Sequence, residues 1–327
     1  MGDHGIDRRA FLRRAGLTTL SAVAVAHATE GYAQGRVPNS SGTESPTLKA
    51  PPNACDCHHH IYDVRFPQPP DATSRLVPDS RVEDYRLFQQ RIGTSRDVVV
   101  TPSAYLTDNR VTLEAIARLG PSARGVAVIG AGATAADLKM LHDVGIRAIR
   151  FSLAVANGVT PPIAPATIDT IQSLAGRVNA LGWHVQFNVT ADQIVGAADM
   201  FNTLPAPIVF DHMGHMPPPT GIGHPAFTTV RRLIDKGRTW VKLSVTYDSS
   251  AVGPPTYADV NAVGRAYVQA APERMVWGSN WPHPNETDKP DDAALFDLLA
   301  DWAPSEATRH RILVDNPETL YGFTKSL

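Results

Sequence analysis

Ala54-Cys55-Asp56-Cys57-His58-His59-His60 opens the folded part of the chain. It begins as a short β-prone run and ends in a cluster of acid and imidazole groups. Comparable short apolar runs follow at 97–100, 124–129, 148–151, 184–189, 208–210, 240–244 and 275–277. Between them lie stretches with helical spacing, among them 111–119, 135–144, 165–181 and 226–236. Eight strand–helix alternations without a break predict a parallel sheet buried on both faces. Eight units in one domain favour closure, so the expected fold is α/β, a single (β/α)8 TIM barrel. No G-x-G-x-x-G follows the first run, so an open dinucleotide-binding sheet lacks its phosphate loop. No internal repeat at a solenoid period is present.

The bulk properties agree with a globular enzyme-sized domain. Of 327 residues, 43% are hydrophobic and 19% charged, an ordinary balance. No apolar run reaches the ~18 residues of a membrane-spanning helix, so no stable span is expected in the mature protein. A net charge of −2 gives no electrostatic drive toward nucleic acid or anionic membrane. Cys55 and Cys57 are the two cysteines. On one strand they would share a face, about 6.5 Å apart by strand rise, which disfavours a bond between them. They read as small buried residues rather than a disulfide or metal pair.

The N-terminus differs from the rest. Asp7-Arg8-Arg9-Ala10-Phe11-Leu12-Arg13 matches the twin-arginine pattern of export signals. A weakly apolar stretch, 15–26, follows, too short to span a bilayer. Ala26-His27-Ala28 and Gly31-Tyr32-Ala33 offer small-x-small cleavage points. The other reading is a basic amphipathic helix. Residues 1–33 are therefore expected to be a twin-arginine signal peptide. It would engage the twin-arginine export machinery and direct the protein to the periplasm. Residues 34–52, rich in Ser, Pro, Gly, Asn and Thr, read as a flexible, disordered linker. The barrel would occupy 53–327, about 270 residues, near the ~250 typical of the fold.

In such a barrel chemistry sits at the C-terminal ends of the strands. Alternation along the first strand places Asp56, His58 and His60 on one face, with Cys55 and Cys57 toward the helices. The acid and both histidines would then enter the barrel mouth. Two imidazoles at i, i+2 can bind a metal or polarise a carbonyl; alternatively they merely cap a strand. The sixth run ends Asp211-His212-Met213-Gly214, where glycine permits a sharp turn and His212 reaches the mouth. Asp211 would orient His212 or a neighbouring loop. His215 and His224 lie in a Pro/Gly-rich loop and read as structural. The eighth run ends Gly278-Ser279-Asn280-Trp281-Pro282-His283, with Asn280 at the tip. Trp281 and His283 are expected to pack or to hydrogen-bond the loop rather than act directly.

These segments together resemble the amidohydrolase superfamily. The likeness is to its branch of 2-pyrone-4,6-dicarboxylate lactonases, sugar lactonases and D-galactarolactone isomerase. It extends over the core through Pro102-Ser103-Ala104-Tyr105, Thr107-Asp108-Asn109, Gly145-Ile146-Arg147-Ala148-Ile149-Arg150-Phe151 and Trp183-His184-Val185-Gln186. It continues through Val241-Lys242-Leu243-Ser244 and Asn316-Pro317-Glu318-Thr319-Leu320-Tyr321-Gly322-Phe323.

The resemblance implies a site and also marks departures from it. Metal-bearing members use two first-strand histidines, a fifth-strand histidine, the sixth-strand histidine and an eighth-strand aspartate. Here the fifth strand offers Gln186 and Asn188, the eighth Asn280, and His184 sits too early on its strand. Neutral amides are poor zinc ligands, so no metal or other cofactor is expected; a zinc ion, if held, would fall to His58, His60 and His212. Without one, His58, His60 and His212 would polarise a lactone carbonyl and stabilise its oxyanion. The resemblance places Arg150 against a substrate carboxylate, the alternative being a rim ion pair. Ser103, Tyr105 and Tyr247 would supply hydroxyls, and Gln186 and Asp56 further substrate contacts. Asp248 stands where relatives often carry an arginine, which suggests a less acidic substrate. Asn280 replaces an aspartate that serves hydrolytic relatives as general base, and an amide cannot take up that proton. Either a histidine replaces it, or a substrate hydroxyl rather than water attacks, since intramolecular attack tolerates a weaker base. The expected protein is an enzyme acting on a carboxylated, sugar-acid-type lactone by hydrolysis or isomerisation. The alternatives are a metal-dependent hydrolase or decarboxylase of the same superfamily, and a barrel that binds lactones without turnover.

Overall fold

A computed structural model describes residues 36–72, 79–154 and 162–325. The twin-arginine segment lies outside the described residues. Among those described, no helix is long and apolar enough to cross a membrane. The chain runs β1 (Cys55–His59), α1 (Val82–Ile92), β2 (Arg96–Val100), α2 (Arg110–Leu119), β3 (Ala123–Ala127), α3 (Ala135–Val144), β4 (Ile146–Ser152), α4 (Pro165–Asn179) and β5 (His184–Asn188). It continues α5 (Ala191–Gly196), α6 (Ala198–Thr203), β6 (Ile208–Phe210), α7 (Pro225–Asp235), β7 (Thr239–Leu243), α8 (Thr246–Ser249), α9 (Ala258–Ala270), β8 (Met275–Trp277), α10 (Asp292–Trp302), α11 (Glu306–His310) and α12 (Asn316–Tyr321). The eight strands are parallel and pair in chain order, the TIM-barrel arrangement the alternation predicts. Local signals set the boundaries: Thr134 caps α3 by accepting from Asp137 N, and Gly145 ends it at φ 117°.

The barrel closes between β8 and β1. Asn280 N donates to His58 O at 2.7 Å, and His60 N donates to Trp281 O at 2.8 Å. Gly278 makes this approach feasible, because a Cβ there would stand 2.7 Å from the Cβ of His58. The faces of β1 are the reverse of the expectation. Cys55 and Cys57 lie inside the barrel with Val98, Val100, Val126, Ala148, Val209 and Val276, free and buried. Asp56 faces outward, its Oδ2 accepting from Tyr85 Oη of α1 at 3.0 Å and from Ser279 Oγ at 2.6 Å. The cause is a register shift between Asp56 and His59. Such a bulge breaks the alternation and turns His58 inward beside Cys57.

The apolar interior is plugged from the strand N-terminal end by the last turn of the chain. Phe323 lies under the guanidinium groups of Arg96 and Arg124, at 5.4 and 4.7 Å. Arg96 also pairs with Glu318 at 2.7 Å. From residue 36 the expected linker is irregular but docked, not free. Pro38 O accepts from Trp281 Nε1 at 2.8 Å, and Arg91 of α1 reaches Ser40 Oγ and Glu44 O at 2.9 and 2.8 Å. Its composition predicted the absence of helix and strand; the partners that hold it come from distant parts of the sequence.

Gly278→Ala should lower stability by about 1–3 kcal/mol, the usual cost of overpacking, read from denaturant midpoints. An unchanged midpoint would contradict the seam.

Candidate active site

The mouth is built around one buried cation. Lys242 of β7 is fully buried. Its Nζ donates to Gln186 Oε1 at 2.7 Å and to His58 Nδ1 at 2.9 Å, and lies 3.2 Å from Asp211 Oδ1. Two hydrogen-bond acceptors and a carboxylate oxygen at ion-pair distance suit an ammonium. Burial lowers its pKa and Asp211 opposes that. Asp211, just after β6, also accepts from Arg150 Nε of β4 at 2.8 Å through Oδ2. Burial pushes this carboxyl up, but Lys242 and Arg150 outweigh it and hold it well below the usual carboxylate range.

The ammonium decides the protonation pattern of the histidines. His58 Nδ1 accepts from Lys242, so the His58 proton sits on Nε2. That atom lies 3.3 Å from His60 Nε2, which accepts. His60 Nδ1 then donates to Val100 O at 2.7 Å. The two rings hold opposite tautomers. His212 lies with its ring centroid 4.8 Å from that of His58 and its Nδ1 2.9 Å from Ser244 Oγ. All three are neutral: burial takes His60 down to about 3 and His58 and His212 well below the ordinary imidazole value.

The structure therefore brings His58, His60, His212 and Arg150 together. Arg150 is anchored through Nε, and among the described residues its terminal nitrogens have no hydrogen-bond partner. Asn280 joins them at the seam, its Nδ2 donating to Tyr247 Oη at 2.8 Å. Gln186 is spent inside: its Oε1 holds Lys242 and its Nε2 reaches Tyr321 Oη at 3.1 Å. Asp56 is removed from the mouth by the β1 bulge. Tyr105 is buried against Asp63, its Oη accepting from Asp63 N at 3.2 Å. Tyr62 is the tyrosine beside His60, with ring centroids 6.4 Å apart. Ser103 is exposed in the turn after β2. Sequence reading passed over Lys242, although a lone lysine in a buried strand demands buried partners. It also set His215 aside, whose Nε2 is bonded to Asn188 Oδ1 at 2.7 Å and whose ring lies 5.3 Å from that of His212. His224 caps α7, accepting from Ala226 N.

The chain is a member of the Amidohydrolase family, whose profile matches residues 55–323. It is 33% identical over 287 residues to a 2-pyrone-4,6-dicarboxylate hydrolase of Comamonas testosteroni, covering 84% of this chain and 92% of the relative. It is 32% identical over 286 residues to D-galactarolactone isomerase of Agrobacterium fabrum, covering 86% and 94%. An apo crystal structure from Agrobacterium tumefaciens superposes with TM-score 0.78 at 31% identity, covering 86% of this chain and all of that one. A more distant amidohydrolase of the same fold, from Burkholderia multivorans at 16% identity, carries bound zinc.

His58, Asp211 and His212 bring ligand atoms within 4.8 Å of one another, which poses the metal question directly. In this geometry the candidate donors are already engaged with other groups. Ligation through His58 Nε2 requires a proton on Nδ1, and that atom faces the Lys242 ammonium, itself a donor. Asp211 is already flanked by two cations. On the fifth strand Gln186 is engaged with Lys242 and Asn188 with Ser152 and His215, while His184 bonds Gln186 deeper in the barrel.

The neutral histidines make stability depend on pH. His58, His60, His184 and His212 all have lowered folded values, His60 and His184 near 3, against 6.5 when unfolded. Below pH 6.5 the unfolded chain takes up protons the folded chain refuses, so stability is full above that pH and falls toward pH 3. Each imidazole contributes about 1.4 kcal/mol per pH unit to that fall. Melting temperature should be flat from pH 9 to 7 and drop steeply below about pH 6. A flat profile down to pH 4.5 would refute the neutral cluster.

Proposed function

We propose that this protein isomerises a carboxylated sugar-acid lactone without a metal ion or other cofactor, opening and re-closing the ring. The observation that carries this reading is the amide at 280 beside three neutral imidazoles and an arginine whose terminal nitrogens have no partner among the described residues. The imidazole N–H of His212 would hold the carbonyl oxygen as charge develops on it, since the protons of His58 and His60 go to His60 Nε2 and Val100 O. Arg150 would take a substrate carboxylate in a two-pronged contact. With no carboxylate at 280 to activate water, a hydroxyl of the substrate attacks instead, helped by proximity. D-galactarolactone is the first substrate to test, given the 32% identical relative of that activity. Hydrolysis is the second reading, favoured by the 33% identical hydrolase.

The test is turnover by the full chain in 18O-enriched water of D-galactarolactone, 2-pyrone-4,6-dicarboxylate and a neutral lactone. Isomerisation gives a product of unchanged mass and altered ring, from the carboxylated sugar lactone alone, with chelator present or absent. Incorporation of one labelled oxygen establishes hydrolysis; loss of turnover on chelation overturns the metal-free site.

We also propose export by the twin-arginine route to the periplasm, on the order of Arg8, Arg9, Phe11 and Leu12. Replacing Arg8 and Arg9 together by lysine should leave the protein in the cytoplasmic fraction. Unchanged periplasmic recovery would overturn the reading.

A further inference from the structure

A second buried chain of hydrogen bonds reaches the mouth from behind β8. His283 Nε2 lies 3.1 and 3.2 Å from the two carboxylate oxygens of Asp292, the first residue of α10, and both side chains are buried. His283 Nδ1 lies 2.9 Å from Tyr247 Oη, with the rings edge to face at 5.1 Å. Tyr247 Oη in turn accepts from Asn280 Nδ2 at 2.8 Å. The directions follow from the donors. A carboxylate only accepts, so His283 carries its proton on Nε2. Nδ1 must then accept, and the Tyr247 hydroxyl donates to it. One tyrosine lone pair takes the Asn280 N–H and the other is left to accept. Every member is oriented, and the chain ends at Asn280, an amide that cannot itself take up a proton.

We propose that Asp292, His283 and Tyr247 form a proton relay that supplies the base function absent at Asn280. The proposal rests on the lactone reading above. The substrate hydroxyl gives its proton to Tyr247 Oη while Tyr247 gives its own to His283 Nδ1. The freed oxygen pair forms a new C–O bond to the lactone carbonyl, whose π electrons move to oxygen. The tetrahedral oxyanion then re-forms its carbonyl and breaks the old ring C–O bond. The departing alkoxide takes a proton from Tyr247, which recovers one from His283. The cycle consumes no proton, and Asp292 stabilises the imidazolium while it exists. Burial holds the Tyr247 hydroxyl well above its ordinary value, so the proton passes through it in concert and leaves no free tyrosinate. Around this pair stand Asp292 from α10, Asp248 beside Tyr247, and Glu286 and Lys289 in the loop of His283, with Lys289 Nζ donating to His283 O at 2.7 Å. Tyr247 is the catalytic residue, and His283 and Asp292 are positioning residues that act through it.

The experiment uses the full chain with D-galactarolactone as probe and follows total lactone consumption. Tyr247→Phe should lower kcat about 100-fold with KM little changed, the scale of one acid–base group. His283→Asn should lower kcat about as far as Tyr247→Phe, with KM little changed. Adding Asn280→Asp to Tyr247→Phe places a carboxylate where the relay delivered its base and should recover at least about tenfold; a structural tyrosine would not be rescued in this way. Near wild-type kcat in Tyr247→Phe, or a double variant no faster than the single one, overturns the relay. A side-chain 1H–15N spectrum tests it apart from turnover. His283 must show its proton on Nε2 and a Nδ1 signal that moves in Tyr247→Phe, and a proton on Nδ1 refutes the proposal. If the wild type leaves every lactone untouched while His283 shows the Nε2 tautomer, the lactone reading fails and the relay's substrate step with it, while the bond directions from Asp292 to Asn280 stand.

Discussion

One ammonium, that of Lys242, organises the mouth of this barrel. Buried among Gln186, His58 and Asp211, it places the proton of His58 on Nε2 and thereby sets the tautomer of His60. It also keeps Asp211 ionised, and Asp211 holds Arg150 in place. Removing one member of such a buried charged set leaves the others uncompensated, at a cost of about 3–5 kcal/mol. The arrangement also gives the site a fixed positive charge from the chain itself.

The backbone around this cluster is arranged at a cost. His212, Val245, Asn280 and His283 all lie at positive φ, 54°, 61°, 62° and 56°, just past β6, β7 and β8. Such conformations cost about 1–3 kcal/mol each in non-glycine residues. They are held by the apolar barrel interior beneath them and by the β8–β1 seam, where Asn280 N is bonded to His58 O. The seam also couples the two halves of the site: Gly278 lets β1 approach closely, and Asn280 sits between the imidazole cluster and Tyr247.

The barrel was legible because alternating β-prone runs and amphipathic helices depend only on local pattern, and each predicted strand lies within two residues of an observed one. The presence of His58, His60, His212 and Asn280 at strand ends was legible for the same reason. Three features were not. The bulge between Asp56 and His59 reverses the faces of β1, and nothing in Asp-Cys-His-His announces an extra residue. Gln186 looked available because its partners, Lys242 and Tyr321, are 56 and 135 residues away. His283 read as loop packing because Asp292 and Tyr247 meet it only once α10 and the segment after β7 fold against β8. Lys242 did carry a signal, a lysine inside Val-Lys-Leu, and burial without partners would have been too costly for it to be incidental.

The charge on Lys242 is the point on which the rest turns, and 15N spectroscopy of its side chain reads it directly. The account predicts an ammonium signal for Lys242 at neutral pH together with an unprotonated Nδ1 on His58. A neutral amine at 242, or a proton on His58 Nδ1, would contradict it and reopen the cluster to a metal ion.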